Sequence, residues 1–129
     1  MTRIYLFQLK KRKRSVVQGI FHLNLVENNT LVTLTDLKGH VKACHSGGLV
    51  GFKGSKKSTK YAKELVVEEF ANKALLLGYT RVCLHFNGSR IWKRKIVKLL
   101  QKFKIKVISI SDLTKIAHNG CRPTKIRRL

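Results

Sequence analysis

Apolar and polar residues alternate from Val16 to Val26, and Val17, Gly19, Phe21, Leu23 and Leu25 fall on one face at period two. That spacing predicts a strand with one face in a core. Glu27-Asn28-Asn29 has turn chemistry, Leu31 to Leu37 resumes as a second strand, Lys38-Gly39 turns again, and Val41 to His45 makes a short third. Consecutive strands joined by short turns predict an antiparallel meander. Beyond residue 59 the period changes: Ala62, Leu65, Val66, Phe70, Ala74 and Leu77 recur at helical spacing, from a Ser58 or Thr59 cap to a stop at Gly78. A helix of about five turns is expected there. Val82 to Phe86 reads as an apolar strand and Asn87-Gly88-Ser89 as a turn and helix cap. Trp92, Ile96, Leu99, Leu100 and Phe103 read as the stripe of a second helix, and Ile105 to Ile110 as a return to strand. Strand, helix, strand at this spacing is a right-handed parallel crossover unit.

The expected fold class is therefore α/β, with a single core domain over residues 16–117. It has a mixed β-sheet of about five strands, an antiparallel meander followed by β-α-β-α-β, with helices packed on it. A basic extension over 1–15 and a basic tail over 118–129 flank the core. No repeat or low-complexity linker interrupts this order, and the only proline, Pro123, lies in the tail. Met1 to Arg14 is basic and free of acids, as a mitochondrial transit peptide would be, but it is short and poor in serine and is read as part of the mature protein.

Charge then narrows the function. At 129 residues with 43% apolar content the chain can bury a real core, yet 28 Lys and Arg stand against 6 Asp and Glu, a net +22. Self-repulsion on that scale points to a polyanionic partner. No run of ~18 apolar residues is present to cross a membrane, and no basic amphipathic helix stands outside the core pattern, so nucleic acid is the better partner. Six of the cations fall in residues 1–14, five in 53–63, eight in 90–106 and five in 115–128, which suggests a protein surrounded by nucleic acid. Lys10 to Arg14 and Lys125 to Arg128 are expected to be disordered when free and to order on binding.

The richest single segment is G-F-K-G-S-K-K-S-T, Gly51 to Thr59. Its glycines let the backbone approach a partner closely, while Lys53, Lys56 and Lys57 with Ser55, Ser58 and Thr59 offer donors to phosphate oxygens beside Gly54. A nucleotide-binding P-loop would need glycine immediately before the Lys-Ser pair, where Lys56 stands, so that template fails. Catalysis has little to build on. Of the six acids only Asp36 and Asp112 sit at strand ends, and turn hydrogen bonding accounts for both. A metal-dependent nuclease on a similar sheet is the alternative reading, and it needs more carboxylates than these two. Cys44, Cys83 and Cys121 are odd in number and widely spaced, which indicates neither a disulfide framework nor a zinc ribbon. His118 with Cys121, and Cys44 beside His45, have a spacing a metal could use but lack the tight pairs of closed sites. No cofactor is expected. Asn119-Gly120 suits a tight turn and is chemically prone to rearrange to isoaspartate.

The second strand L-V-T-L-T-D-L-K-G (31–39), the loop G-F-K-G-S-K-K-S-T (51–59), S-D-L-T (111–114) and the tail H-N-G-C-R-P-T-K-I-R-R-L (118–129) together resemble small-subunit ribosomal protein eleven of the bacterial and organellar type. The resemblance covers roughly residues 16–129, in order. It implies a non-enzymatic constituent of the small ribosomal subunit, bound to small-subunit ribosomal RNA in the platform close to where messenger RNA leaves. The implied partners are that RNA, neighbouring platform proteins and messenger RNA near the exit, with no membrane and no homo-oligomer. The RNA-binding residues so implied are Lys53, Gly54, Ser55, Lys56, Lys57, Ser58 and Thr59 in the loop, then Arg90, and His118, Asn119, Gly120, Arg122, Lys125, Arg127 and Arg128 in the tail. The chain also departs from the family pattern. Where the family has a Gly-Pro-Gly-rich turn after the fourth strand, this chain has Asn87-Gly88-Ser89-Arg90; Lys60 and Thr124 each replace a proline, and the alanine-rich helix is richer in Leu, Val and Phe. That drift points to an organelle, a mitochondrion first, with a plastid or a divergent bacterium as alternatives.

Overall fold

A computed structural model describes residues 17–88 and 92–125 of the chain. The expected basic extension over 1–15, together with Ser89, Arg90, Arg127 and Arg128, lies outside the described residues. Five strands and two α-helices follow in the order β1 (Val17–Leu25), β2 (Thr30–Asp36), β3 (Val41–Ser46), α1 (Lys60–Leu76), β4 (Tyr79–Gly88), α2 (Lys93–Lys102) and β5 (Lys106–Asp112). The sheet order is β3-β2-β1-β4-β5, antiparallel through β1 to β3 and parallel from β1 to β4 to β5, as the change of period predicts.

Both helices cover one face. Phe21, Leu23 and Leu25 of β1, Val32 and Leu34 of β2, and Val82, Leu84 and Phe86 of β4 are all buried there. They meet Val66, Val67, Phe70, Ala71 and Ala74 of α1 and Ile96 and Leu100 of α2 in one core. At its centre Phe21 and Phe70 meet edge to face with ring centroids 5.0 Å apart. The α1 stripe is turned from its expected position: Val67 and Ala71 are buried, Leu65 is half-buried, and Leu77 falls past the helix end, exposed. Alternation leaves Ile20, His22, Asn24, Thr33, Cys83 and His85 half-buried on the opposite, helix-free face.

One local expectation is overturned. Asn87 and Gly88 are not a turn but the last residues of β4, and the N-cap of α2 is Trp92, which makes no side-chain cap bond. Gly88 can end the strand because its φ is +106°, and a Cβ there would stand 2.3 Å from the Leu25 carbonyl oxygen. Trp92 replaces a polar cap with packing: its buried ring lies under the Lys95 ammonium at 4.9 Å and the Lys63 ammonium at 5.7 Å.

Strand direction sorts the molecule into two edges. β1, β3, β4 and β5 run the same way, so Leu25, Ser46, Gly88 and Asp112 end at one edge, the carboxyl edge. The connection from β3 to α1 and the tail after β5 both leave from it.

Candidate nucleic-acid interface

The glycine-rich segment is a folded platform rather than an open loop. After β3, a turn closes through Leu49 N–H and Val50 N–H donating to Ser46 O at 3.1 and 3.3 Å, and Phe52 N–H returns to Gly47 O at 3.1 Å. Gly51 and Gly54 take φ values of +101° and +55°, which a β-carbon would resist. Gly54–Ser58 then winds into a single 3-10 helix. Inside it Ser58 Oγ donates to Ser55 O at 2.6 Å. Thr59 Oγ1 donates to Lys56 O at 2.8 Å and accepts from Ala62 N–H at 3.2 Å, which makes Thr59 the N-cap of α1. Phe52 and Tyr61, edge to face at 6.0 Å, tie the platform to the helix.

These contacts divide the expected RNA-binding residues by role. Ser58 and Thr59 hold the platform's shape, while Lys53, Ser55 and Lys56 are exposed on it, with Lys60 beside them. Lys57 differs from the other lysines. It is half-buried, with its Cβ and Cγ 3.5 Å from where a β-carbon on Gly47 would sit, so its stem lies across the Gly47-Gly48 turn. Among the described residues the acids pair elsewhere: Asp36 with Lys42 at 3.0 Å, Glu64 with Lys95 at 3.7 Å, Glu69 with His45 at 3.0 Å, and Asp112 with Lys93. No ion pair among the described residues offsets the platform's lysines.

The tail starts at the same edge. Leu113 N–H donates to Phe86 O at 2.7 Å and Gly88 N–H to Thr114 Oγ1 at 3.1 Å, so the chain is anchored to the end of β4 before it departs. From Lys115 to Lys125 every residue is exposed, including His118, Asn119, Gly120 and Arg122. Asn119 has φ +54°, the left-handed conformation an Asn-Gly turn favours. Sequence reasoning assigned no role to Lys60, or to Lys98 and Lys102, exposed on α2. Their signal was present in the second and third basic groups.

The two aspartates cannot serve one metal site. Asp36 ends β2, which runs against its neighbours, and so lies at the edge opposite Asp112. Each works locally. Asp36 accepts from the Tyr79 hydroxyl and pairs with Lys42, which lowers its pKa, while burial and Asp36 push the Tyr79 phenol up to about 12. Lys93 and Thr114 hold Asp112 down to about 2. Among the described residues no group of three or more His, Cys, Asp and Glu could hold a metal ion, and no helix is long and apolar enough to cross a membrane.

A sequence profile described as ribosomal protein S11 matches residues 19–128. The chain belongs to the ribosomal protein S11 family. The small ribosomal subunit protein uS11 of Kosmotoga olearia is 42% identical over 120 residues, which cover 93% of this chain and 92% of that protein. That of Borreliella burgdorferi is 41% identical over the same coverage. The small ribosomal subunit protein uS11m of Prototheca wickerhamii is 40% identical over 122 residues, 95% of each chain. The S11 match takes in the platform and the described part of the tail, the segments that gather at the carboxyl edge.

Proposed function

We propose that this chain is a structural, non-catalytic constituent of the small ribosomal subunit, holding small-subunit ribosomal RNA along its carboxyl edge. S11 family membership over nearly the whole chain carries that reading. The placement of unneutralised lysines beside an exposed tail at one edge supports the choice of surface. Lys53, Lys56 and Lys57, with the backbone at Gly54 and Ser55, dock on phosphates, and Ser58 and Thr59 keep the platform in shape. His118, Asn119, Gly120, Arg122 and Lys125 follow the RNA outward, and Arg90, Arg127 and Arg128 join them by sequence position. Arginine suits irregular RNA because its guanidinium binds phosphate with two hydrogen bonds and stacks on open bases. The site we favour is the subunit platform near the messenger RNA exit, among other platform proteins, in a mitochondrial ribosome.

The test is direct. Purified protein mixed with labelled small-subunit ribosomal RNA and magnesium should give a shifted, uncut RNA, and cleavage would revive the nuclease. Truncation after Cys121 should leave the melting temperature within a few degrees while incorporation into small subunits collapses. A large loss of melting temperature with normal incorporation would mean that the surface is misplaced. Co-sedimentation with small subunits from isolated mitochondria decides the compartment.

A further inference from the structure

On the helix-free face, the carboxyl ends of β1 and β4 enclose a cavity that the lysine platform does not use. The strands pair in parallel with His22 opposite His85 and Asn24 opposite Asn87, so alternation brings these four side chains out together. The imidazoles meet edge to face, with centroids 5.1 Å apart and planes at 85°. His22 Nε2 lies 3.1 Å from Thr35 Oγ1, which fixes its ring, and burial followed by the nearby His85 lowers its pKa, so the ring is neutral near pH 7. His85 Nδ1 is buried without a hydrogen-bond partner. Leu113 and Lys115 complete a cavity of about 240 Å³, and the bonds from Leu113 to Phe86 and from Gly88 to Thr114 hold that wall in place.

Single-stranded RNA is read by splaying out a base, stacking it on an aromatic or imidazole ring, hydrogen-bonding its edge and neutralising the adjoining phosphate. The cavity offers two rings, two amides that can both donate and accept, and a lysine at the rim. We propose that it takes one unpaired base of the RNA, stacked against His22 and His85, read at its edge by Asn24 and Asn87, with Lys115 on the neighbouring phosphate. This rests on the RNA-binding reading and adds to it a site that distinguishes unpaired from paired RNA. A duplex keeps its bases stacked and has nothing to insert. Leu23, Phe86 and Leu113 add apolar surface that suits the flat face of a base, and the two asparagines and Lys115 supply the polar contacts that an apolar peptide side chain would leave unused.

The full chain is titrated with short single-stranded oligouridylate and oligoadenylate, and with an RNA duplex of equal phosphate number, over a range of salt. Asn24→Ala combined with Asn87→Ala should weaken single-strand binding about tenfold, the scale of one base contact, while duplex affinity and the salt slope stay unchanged. His85→Phe, which keeps a stacking ring, should retain more single-strand affinity than His85→Leu. In the unaltered protein, uridine monophosphate should shift the side-chain amide signals of Asn24 and Asn87 by nuclear magnetic resonance, a readout independent of whether any variant folds. Amide signals that stay still, or a double variant that binds single strands as tightly as the parent, would overturn the cavity and leave the salt-dependent RNA reading standing. A parent protein that binds neither RNA would remove that reading, and the cavity with it.

Discussion

The two edges of the sheet solve opposite problems. At the amino edge, the β2–β3 turn, the end of α1 and the start of β4 meet in a closed network, in which Tyr79 donates to Asp36, Lys42 pairs with the same carboxylate, and Gly39 N–H returns to Asp36 O at 3.0 Å. There the one carboxylate is held by Tyr79 and Lys42, while Lys38, Arg81 and Lys106 at the same edge make no ion pair among the described residues. At the carboxyl edge, Lys53, Lys56 and Lys60 stand without acid partners among the described residues, and the tail leaves the sheet with every side chain from Lys115 to Lys125 exposed. A net charge of +22 is tolerable only where something outside the molecule screens it. The contrast is between an edge organised around one part-buried hydrogen-bonded network and an edge whose exposed lysines and tail we assign to RNA.

The variant expected to do most damage is Gly88→Ala, because the carboxyl edge depends on a backbone no side chain can share. A β-carbon 2.3 Å from the Leu25 carbonyl at φ +106° forces β1 and β4 apart. A loss of about 3 kcal/mol or more is expected, read as the fall in urea midpoint. Gly39, also at positive φ but with nothing within 4 Å, should tolerate alanine better, since only backbone strain remains. Equal losses at the two glycines would show that the edges are not built differently.

Gly88 also marks where the sequence stopped being legible. Strands β1 to β3 and both helices could be read because their apolar residues recur at period two or near four, and that period is the imprint of a single buried face. Asn87-Gly88 carries the composition of a turn, yet the residues stay paired because β1 alongside supplies a partner as far as Leu25. The start of α2 was misread for the same reason: a polar cap was expected where a buried tryptophan does the work. Within the candidate site, the lysines and hydroxyls were legible as a set. Their division was not, because it depends on bonds from Ser58 and Thr59 back to the carbonyls of Ser55 and Lys56. The His22–His85 cavity was hidden altogether, since parallel pairing joins residues far apart in the chain.

Next in size is the joint change Lys53→Ala and Lys56→Ala. Both side chains are exposed and unpaired among the described residues, so circular dichroism and melting should hardly change. RNA affinity should fall about tenfold at moderate salt, and the slope of log affinity against log salt should become shallower by roughly 0.7 to 0.9 for each phosphate that the variant no longer neutralises. An unchanged slope would move the docking surface elsewhere.

Tyr79→Phe probes the amino edge and should give the mirror image: lower stability with RNA binding intact. The buried hydroxyl donates to a carboxylate, and its removal should cost about 1 to 2 kcal/mol. The pH dependence identifies the cause. Because the phenol ionises at about 12 rather than 10, its contribution is complete below pH 10 and is lost as pH climbs towards 12. The parent and Tyr79→Phe should therefore differ at neutral pH and converge in strong alkali. At the acid end Asp112, held at about 2, contributes above its ordinary 3.8 and loses that contribution as pH falls through about 2, in parent and variant alike. A stability gap that persists at high pH would mean that the raised phenol pKa is not what couples Tyr79 to stability.

The smallest expected effect is Lys57→Ala, and it tests how far the two edges differ within a single side chain. Lys57 belongs to the carboxyl edge by sequence and charge, but its stem packs on the Gly47-Gly48 turn, with its ammonium 3.9 Å from where a Gly48 β-carbon would lie. It therefore packs on the protein while standing on the surface we assign to RNA. Removing the half-buried methylenes should cost no more than about 0.5 kcal/mol, and removing the charge should weaken RNA binding less than Lys53→Ala or Lys56→Ala does, because this ammonium is already turned towards the protein's own backbone. Lys57→Met, which keeps the stem and loses the charge, separates the two contributions. If Lys57→Met restores melting but binds RNA as weakly as Lys57→Ala, both roles hold. Affinity falling as far as in Lys53→Ala would show that Lys57 swings off the turn to meet phosphate, making the platform's packing a resting state rather than its bound form.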